Sequence, residues 1–199
     1  MTQERPALMR MGNARYTWDD TVAAIGRDFS KGKVHTGQEK IDISSIVRYC
    51  EVWEYGNLIY WDKRVAKGAG YKNVVAPWSS IKQTFTSKGF WRPRDQSRFP
   101  AGTDVNAMTG STTNEDDRGD EVPMPPVTQV IVTDVSIDFF EPVCAGDRLT
   151  AKGDRLANVR VRKTRIGYGG FINRENEIYN QRGELVARVN QGVYSYNPE

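Results

Sequence analysis

The sequence predicts an α+β domain in which an antiparallel sheet wraps a helix. Helical periodicity is confined to the first half of the 199-residue chain, whereas segments that resemble strands, bounded by turn residues, fill positions 130–196. Helices followed by a run of strands are typical of the α+β class. The length suits one domain, and 38% hydrophobic with 27% charged residues is an ordinary balance for a globular protein.

The clearest predicted helix begins after Asp42, a good N-cap residue, and stops before Gly56 and Asn57. Its apolar side chains follow the i, i+3, i+4, i+7, i+10 spacing of one buried helix face: Ile43, Ile46, Val47, Cys50 and Trp53. Two further helices are predicted, at 62–69 and from Pro77 to about residue 88. Residues 1–40 form a lead-in segment, with a short helix or irregular stretch and then a turn and a strand at 32–39.

Residues 91–127 predict a long insertion loop rich in proline and glycine. They contain five prolines, three glycines and an acidic cluster at 115–117, with almost no periodicity. A stretch of this length inside a compact domain is usually either functional or disordered. The favoured interpretation is a solvated surface loop, and the alternative is a lid that folds over a partner's site.

Four strands are predicted after the loop, at 130–140, 149–161, 171–179 and 185–196. The first alternates in period two from Val135 onward, which is typical of a strand with one covered face. Gly153 indicates a β-bulge in the second strand. Turn residues separate the strands: Pro142, Gly146, Asp147, Gly167, Gly169, Gly170 and the segment 180–184.

Composition excludes several classes of protein. No segment reaches the roughly 18–20 apolar residues of a membrane span, and the polar N-terminus does not resemble a secretory signal, so we expect a cytoplasmic protein. A net charge of +3 without a block of Lys and Arg indicates neither nucleic-acid nor membrane binding. Cys50 and Cys144 are expected to be reduced, buried thiols. The single histidine, His35, excludes a zinc site built from several histidines and is expected to be exposed or a capping residue.

Two stretches of the chain carry a resemblance to a known family. One runs from 41–51 through 57–62 to 74–77, and the other from 139–149 through 163–167 to 179–187. In both, the chain resembles MaoC-like hot-dog hydratases and dehydratases, especially the branch with a FAS1-like dehydratase domain akin to one in fungal fatty acid synthase. The resemblance implies a single hot-dog domain over 41–199 that contains the 91–127 loop.

Active members of that family share the motif Gly-Asp-x-Asn-Pro-Leu-His, whose Asp and His position and activate a water molecule by general acid–base chemistry. The corresponding residues 54–60 read Glu-Tyr-Gly-Asn-Leu-Ile-Tyr. Asn57 is kept, whereas Tyr55 stands in place of the Asp and Tyr60 in place of the His. An ordinary tyrosine has a pKa near ~10 and does not easily replace either group. The dyad is therefore expected to be absent from this chain.

The resemblance, with the dyad missing, implies a non-catalytic, channel-forming subunit of a hetero-oligomeric enoyl-CoA hydratase or 3-hydroxyacyl-CoA dehydratase. A catalytic MaoC-like hot-dog subunit would supply the dyad and complete a heterodimer or a dimer of heterodimers. No cofactor is expected, because the substrate is carried as a coenzyme A or acyl-carrier thioester. The candidate substrate-binding residues are Tyr55, Asn57, Tyr60, Trp78 and Trp91, and, for the coenzyme A phosphates, Arg162, Lys163 and Arg165.

Each candidate also has a purely structural interpretation. Asn57 would cap the end of the first helix, the tyrosines would pack in the core, and Arg160 and Arg162 would alternate on the solvent face of a strand. Two other functions stay open: a stand-alone hydratase or thioesterase that uses a tyrosine, Glu54 or Asp62, and a non-enzymatic acyl-CoA-binding protein. The aromatic side chains expected mostly in the core are Trp53, Trp61, Trp78, Phe85, Phe90 and Trp91, of which Trp78 and Trp91 are candidates to face an apolar substrate.

Overall fold

A five-stranded antiparallel sheet forms the body of the molecule in the computed structural model, which describes residues 11–37, 39–81 and 121–198. Its strands in chain order are β1 (Val34–Thr36), β2 (Gln129–Phe139), β3 (Leu149–Thr164), β4 (Gly167–Asn180) and β5 (Leu185–Asn197). Across the sheet the order is β1-β3-β4-β5-β2, so β1, which comes from the lead-in segment, and β2 form the two edges. The predicted α+β architecture is confirmed.

Short helices precede the four long strands. The described residues contain α1 (Trp18–Ala23), α2 (Ile43–Val52), α3 (Lys63–Gly68) and the 3₁₀ turns Leu58–Tyr60 and Trp78–Ser80. Asp42 caps α2 as predicted, because its carboxylate accepts a 2.7 Å hydrogen bond from the backbone N–H of Ser45. The helix predicted at 62–69 is α3, whereas most of the one predicted from Pro77 lies outside the described residues. None of the helices in the described ranges has the length and apolar character needed to cross a membrane.

One face of α2 packs on the middle of the sheet. Ile46 and Cys50 are fully buried there against Leu149, Ile178 and Val189, in what we call the main core. Full burial of an aliphatic side chain contributes about 1.5–3 kcal/mol, so these contacts fix the helix against β3, β4 and β5. Both cysteines are buried free thiols, as the sequence predicts.

The prediction is wrong for the aromatic side chains next to α2. Trp53 is 60% exposed and Trp61 38% exposed, although the sequence predicts both in the core. The reason is that α2 ends at Val52 and the chain turns away at Glu54, whose φ of 52° is left-handed. Three other aromatic residues of the predicted core lie outside the described residues: Phe85, Phe90 and Trp91.

A second core lies toward the other end of the sheet. Phe29, Leu156 and Ile172 are buried there together with Met124 and Val127. Met124 and Val127 belong to the end of the predicted insertion loop, so this part of it is packed rather than solvated. Residues 91–120 of the loop lie outside the described residues.

The strands β3 and β4 are longer than the sequence predicts. Gly169 and Gly170, interpreted as turn residues, lie inside β4 because they permit close approaches. An added Cβ would lie 2.1 Å from the backbone oxygen of Ser195 at Gly169 and 2.6 Å from the Trp18 ring at Gly170. The bulge predicted at Gly153 is confirmed, since its φ is 75° and the register of β3 with β4 shifts there.

The edge strand β2 is more exposed than its alternation predicts. Ile137 packs against the main core, but Val135 remains 48% exposed and Val132 62% exposed. In the described chain β2 pairs with β5 on one side, and α2 packs on the central strands. The expected covered face is therefore covered only in part.

Candidate functional site

The loop at 53–61, directly after α2, carries most of the candidate residues. A Schellman motif ends the helix: the backbone N–H of Tyr55 donates to the carbonyl of Cys50 at 3.0 Å, and that of Glu54 donates to Glu51 at 3.2 Å. Glu54 holds the left-handed position that glycine usually fills. The motif reverses the chain and places Tyr55 against the main core.

Two further interactions fix the conformation of this loop. The side-chain oxygen of Asn57 accepts a 3.2 Å hydrogen bond from the backbone N–H of Ile59. The backbone carbonyl of Asn57 accepts a 3.0 Å hydrogen bond from the backbone N–H of Tyr60. The Trp61 indole N–H donates to the carbonyl of Tyr55 at 2.6 Å. Asn57 therefore does act as a cap, but of the 3₁₀ turn at Leu58–Tyr60 rather than of α2.

Three tyrosine rings form a row beside the loop. The ring centroids of Tyr49 and Tyr55 are 6.4 Å apart, and those of Tyr55 and Tyr60 are 6.2 Å apart. The hydroxyl of Tyr55 lies 3.2 Å from Oγ of Ser79, where either oxygen can donate. Tyr55 and Tyr60 are half-buried against the main core. Sequence reasoning missed Ser79, because a lone serine in a predicted helix carries no signal.

The surroundings of Tyr60 favour its neutral form. Burial raises the pKa of Tyr60, and Cys50, Tyr55 and Tyr71 raise it further because their anions would repel a phenolate. Burial also raises the pKa of the Cys50 thiol. Both groups are therefore protonated near neutral pH, where they can donate hydrogen bonds but cannot act as general bases.

Trp78 connects the loop to the edge of the sheet. Its half-buried ring packs against the main core, and its centroid lies 4.5 Å from that of Phe139 at the end of β2. Trp91, the other aromatic candidate for substrate contact, lies outside the described residues.

The basic candidates lie at the end of β3 and in the turn that joins β3 to β4. Arg162, Lys163 and Arg165 are exposed there. The guanidinium carbons of Arg162 and Arg160 lie 4.6 and 5.6 Å from the centroid of the Phe171 ring. This exposed stacking confirms that Arg160 and Arg162 share the solvent face of their strand.

The two groups of candidates are far apart within this chain. β3 runs from Leu149, in the main core beside Cys50, to the exposed Arg162. At about 3.3 Å per residue this length of strand spans roughly 40 Å. Among the candidates that the structure describes, it thus brings together four: Tyr55, Asn57, Tyr60 and Trp78.

Sequence reasoning missed the role of one buried carboxylate, Asp147, interpreting it only as a turn residue. Its side chain is 2% exposed and accepts hydrogen bonds from Lys72 at 2.8 Å, Arg182 at 3.0 Å and the Cys144 backbone N–H at 2.9 Å. Burial raises the pKa of Asp147, but the hydrogen bonds together outweigh burial and lower it below its ordinary value. Asp147 stays ionised and joins three segments of the chain. Its one sequence signal is its place in the 139–149 stretch that carries the resemblance.

The remaining ionisable candidates are His35, on β1, and Asp62, at the start of α3. His35 lies on β1, four strand spacings or about 19 Å across the sheet from β2, where Trp78 packs. Asp62 caps α3 by accepting a 2.6 Å hydrogen bond from the backbone N–H of Arg64. In the ranges that the structure describes, no group of three or more His, Cys, Asp or Glu side chains is arranged to hold a metal ion.

An antiparallel sheet wrapped around one helix, here α2, defines a hot-dog protein. The chain belongs to the family described as FAS1-like, dehydratase domain region, which matches residues 23–189. The family and the hot-dog fold predicted from the resemblance are both confirmed.

Similar proteins are known from sequence and from structure. A probable enoyl-CoA hydratase alpha subunit of Thermomonospora curvata is 25% identical over 177 residues, which are 89% of this chain and 51% of that protein. The chain thus spans about half the length of this curated relative.

Two solved complexes from Mycobacterium tuberculosis contain chains of the same fold. A chain of the ChsH1–ChsH2 complex has a TM-score of 0.62 at 19% identity, covering 91% of this chain and 89% of its own length. A chain of the HadBC (3R-hydroxyacyl-ACP dehydratase) complex has a TM-score of 0.50 at 16% identity, covering 83% and 96%. These two similarities show that the chains share a fold.

Proposed function

We propose that this chain is the non-catalytic, channel-forming subunit of a hetero-oligomeric enoyl-CoA hydratase or 3-hydroxyacyl-CoA dehydratase. A partner hot-dog subunit supplies the Asp/His dyad, in a heterodimer or a dimer of heterodimers. The observation that carries the proposal is the half-buried phenol of Tyr60, which packs against the main core at the position that corresponds to the family's histidine. Membership of a dehydratase-domain family supports it, as do relatives named as an alpha subunit and as complexes.

The chemistry of hydration explains why the loop suits a channel better than a reaction centre. Adding water across an enoyl thioester needs one group that takes a proton from water and one that returns a proton to carbon, each with a pKa near the working pH. The loop and the neighbouring 3₁₀ turn at Trp78–Ser80 instead present the hydroxyls of Tyr55, Tyr60 and Ser79. We assign them to lining the acyl chain and donating hydrogen bonds to the thioester carbonyl.

Asn57 has a narrower role in this proposal. Its side-chain oxygen already holds the 3₁₀ turn, so its amide nitrogen is the group that would donate to a ligand. Trp78 would form an apolar wall of the channel, since its half-buried ring packs against the same core as Tyr55 and Tyr60 and it precedes Ser79, which lies beside the Tyr55 hydroxyl.

The substrate would be carried as a coenzyme A or acyl-carrier thioester, with no cofactor. Arg162, Lys163 and Arg165 remain our candidates for the coenzyme A phosphates. Because the length of β3 separates these basic residues from the tyrosine row, they would contact a thioester that is bound at a different site. We place the complex in the cytoplasm, where the buried thiols of Cys50 and Cys144 stay reduced.

Native mass spectrometry of the tagged chain, purified from its own host, tests the proposal first. We expect a stoichiometric second subunit whose sequence carries the Asp and His of the family motif. Hydration of a series of trans-2-enoyl-CoA thioesters is then compared for the complex and for the chain alone. We expect activity only in the complex, and a raised KM with nearly unchanged kcat when the complex carries Tyr60→Phe.

A matched control and two contrary outcomes complete the test. Tyr168→Phe alters an exposed tyrosine at the start of β4, away from the loop, and should leave both constants unchanged. Hydration by the chain alone that disappears in Tyr55→Phe or Tyr60→Phe would contradict the proposal and support a stand-alone enzyme. Acyl-CoA binding by a homo-oligomer without activity would support a non-enzymatic binding protein.

A further inference from the structure

A cavity of about 500 Å³ lies beside the second core, where the lead-in segment meets residues 121–123. Small-molecule pockets usually have volumes of roughly 300–1,000 Å³. The buried residues that line the cavity are Ala24 and Phe29. The backbone N–H of Phe29 donates to the carbonyl of Asp154, five residues along β3 from Leu149. Roughly 16 Å of strand therefore separates this cavity from the main core and the tyrosine row.

Hydrogen bonds hold the walls of the cavity in place. The segment that carries Arg27 is tied to β3, because the carbonyl of Arg27 accepts a 2.9 Å hydrogen bond from the N–H of Leu156. The hydroxyl of Thr21 in α1 donates to the carbonyl of Pro123 at 2.7 Å. The cavity is therefore preformed, so a ligand that enters it does not have to order these segments.

Two arginine side chains line the cavity and are available to an anion. The guanidinium carbon of Arg15 lies 4.5 Å from the centroid of the Tyr16 ring, and that of Arg27 lies 5.2 Å from the centroid of the Phe29 ring. Stacking on a ring face leaves the N–H groups at the guanidinium edge free to donate. Within the ranges that the structure describes, neither guanidinium has a carboxylate at ion-pair distance. Guanidinium edges match the oxygens of a phosphate, to which they donate two parallel hydrogen bonds.

Two carboxylates in the same lining restrict the kind of anion that fits. Asp20 accepts hydrogen bonds from the backbone N–H and the hydroxyl of Thr17, both at 2.8 Å, and these bonds lower the pKa of Asp20. The second carboxylate belongs to Glu121, which is exposed. Carboxylates repel a ligand that carries only negative groups, but they accept hydrogen bonds from hydroxyl groups. The lining therefore favours a ligand that carries hydroxyl groups as well as a phosphate.

We infer that this cavity binds a small hydroxylated phosphate ester, whose phosphate accepts hydrogen bonds from Arg15 and Arg27 and whose hydroxyl groups donate to Asp20 and Glu121. The carbon skeleton of the ligand packs on Phe29. Sugar phosphates and nucleotides share this chemistry. The inference is independent of the proposed function, because the cavity contains neither the tyrosine row nor the basic candidates at 162–165.

Isothermal titration calorimetry of the purified full chain tests the inference with three probes: ribose 5-phosphate, adenosine 5′-monophosphate and inorganic phosphate. We expect an ester to bind at least about tenfold more tightly than inorganic phosphate, which lacks the hydroxyl groups that reach the carboxylates. Tighter binding of the adenosine ester would support a nucleotide, and tighter binding of ribose 5-phosphate would support a sugar phosphate.

Two variants connect the binding to this cavity. Arg15→Gln combined with Arg27→Gln should weaken binding of the ester about a hundredfold, since each guanidinium contributes about a factor of ten. Ala23→Leu changes no charge but fills space in the cavity from an exposed position at the end of α1, and it should also abolish binding.

The control variant carries Lys63→Gln and Lys67→Gln, which make the same change of charge at exposed sites on α3. We expect it to bind the ester like wild type. Circular dichroism and thermal unfolding verify that each variant folds. If the arginine variant does not fold, Ala23→Leu decides.

Three results would overturn the inference. The first is that neither ester binds at millimolar concentration. The second is binding that the arginine variant and Ala23→Leu leave unchanged, because the ligand would then lie elsewhere. The third is equal affinity for the esters and inorganic phosphate, because the two carboxylates would then select nothing.

Discussion

Replacing Asp147 is expected to destabilise the fold, because this carboxylate is buried between two cations and a backbone N–H. Hydrogen bonds to charged groups contribute about 1.5–3 kcal/mol when shielded from water. Lys72 and Arg182 are nearly half exposed, so each pair with Asp147 is discounted to about 1 kcal/mol. Asp147→Asn should therefore lower the free energy of unfolding by about 2 kcal/mol. Asp147→Ala should cost about 4 kcal/mol, since it also leaves the Cys144 N–H without its acceptor.

The pH dependence of this effect has a definite sign. The folded state lowers the pKa of Asp147, so the unfolded state binds the proton more readily. The stabilisation is complete above the ordinary aspartate pKa of about 3.9 and is lost as the pH falls through the lower folded value. The difference between wild type and Asp147→Asn should shrink over that acidic window.

Urea unfolding followed by tryptophan fluorescence measures both effects. Glu184→Gln is the control, because this exposed carboxylate also pairs with Arg182, at 2.6 Å, and its removal should change stability little. An Asp147→Asn variant with the wild-type midpoint at neutral pH would refute the argument. So would a difference that persists undiminished in acid.

Three further perturbations test particular elements by the same unfolding assay. Glu54→Gly should stabilise the fold by about 0.5–1 kcal/mol, since glycine removes the strain of a left-handed residue; an equal gain from Glu54→Ala would show that charge rather than backbone strain is responsible. Gly169→Ala should destabilise by about 3 kcal/mol or more, because the new methyl group would meet the Ser195 carbonyl at 2.1 Å; a stable, well-folded variant would contradict the close approach. Tyr60→Phe should reduce the loss of stability above pH ~10, where the unfolded phenol ionises first because folding raises the pKa of Tyr60; an unchanged alkaline profile would count against the burial of this phenol.

The sequence could predict features whose causes are local. Asp42 and the buried pair Ile46 and Cys50 follow from capping and helical periodicity, and the structure confirms them. Trp53 was misplaced because the turn after α2 uses Glu54 in a conformation that the sequence normally marks with glycine. Gly169 was misinterpreted for the converse reason, since its small size serves contact with another strand rather than a turn.

The candidate site also contains residues that the sequence could predict from local causes and residues that it could not. Tyr55, Asn57 and Tyr60 are close in sequence, so their proximity in space was predictable. Asp147 was missed because its ion-pair partners lie 75 and 35 positions away. Only their chemistry groups Arg162, Lys163 and Arg165 with the tyrosines, and chemistry carries no information about the length of β3 that separates the two groups.

The tyrosine row and the end of β2 belong to one packed unit. The hydroxyl of Tyr55 lies 3.2 Å from Ser79, which follows Trp78, and the ring of Trp78 packs at 4.5 Å on Phe139 at the end of β2. Any contact that restricts Phe139 would therefore also restrict Trp78, which precedes the serine beside Tyr55. Closely packed side chains transmit such displacements, because a dense interior has little room to absorb them. In the assembly that we propose, a partner that contacts Phe139 would thus shape the acyl channel of this chain as well as supply the reacting groups.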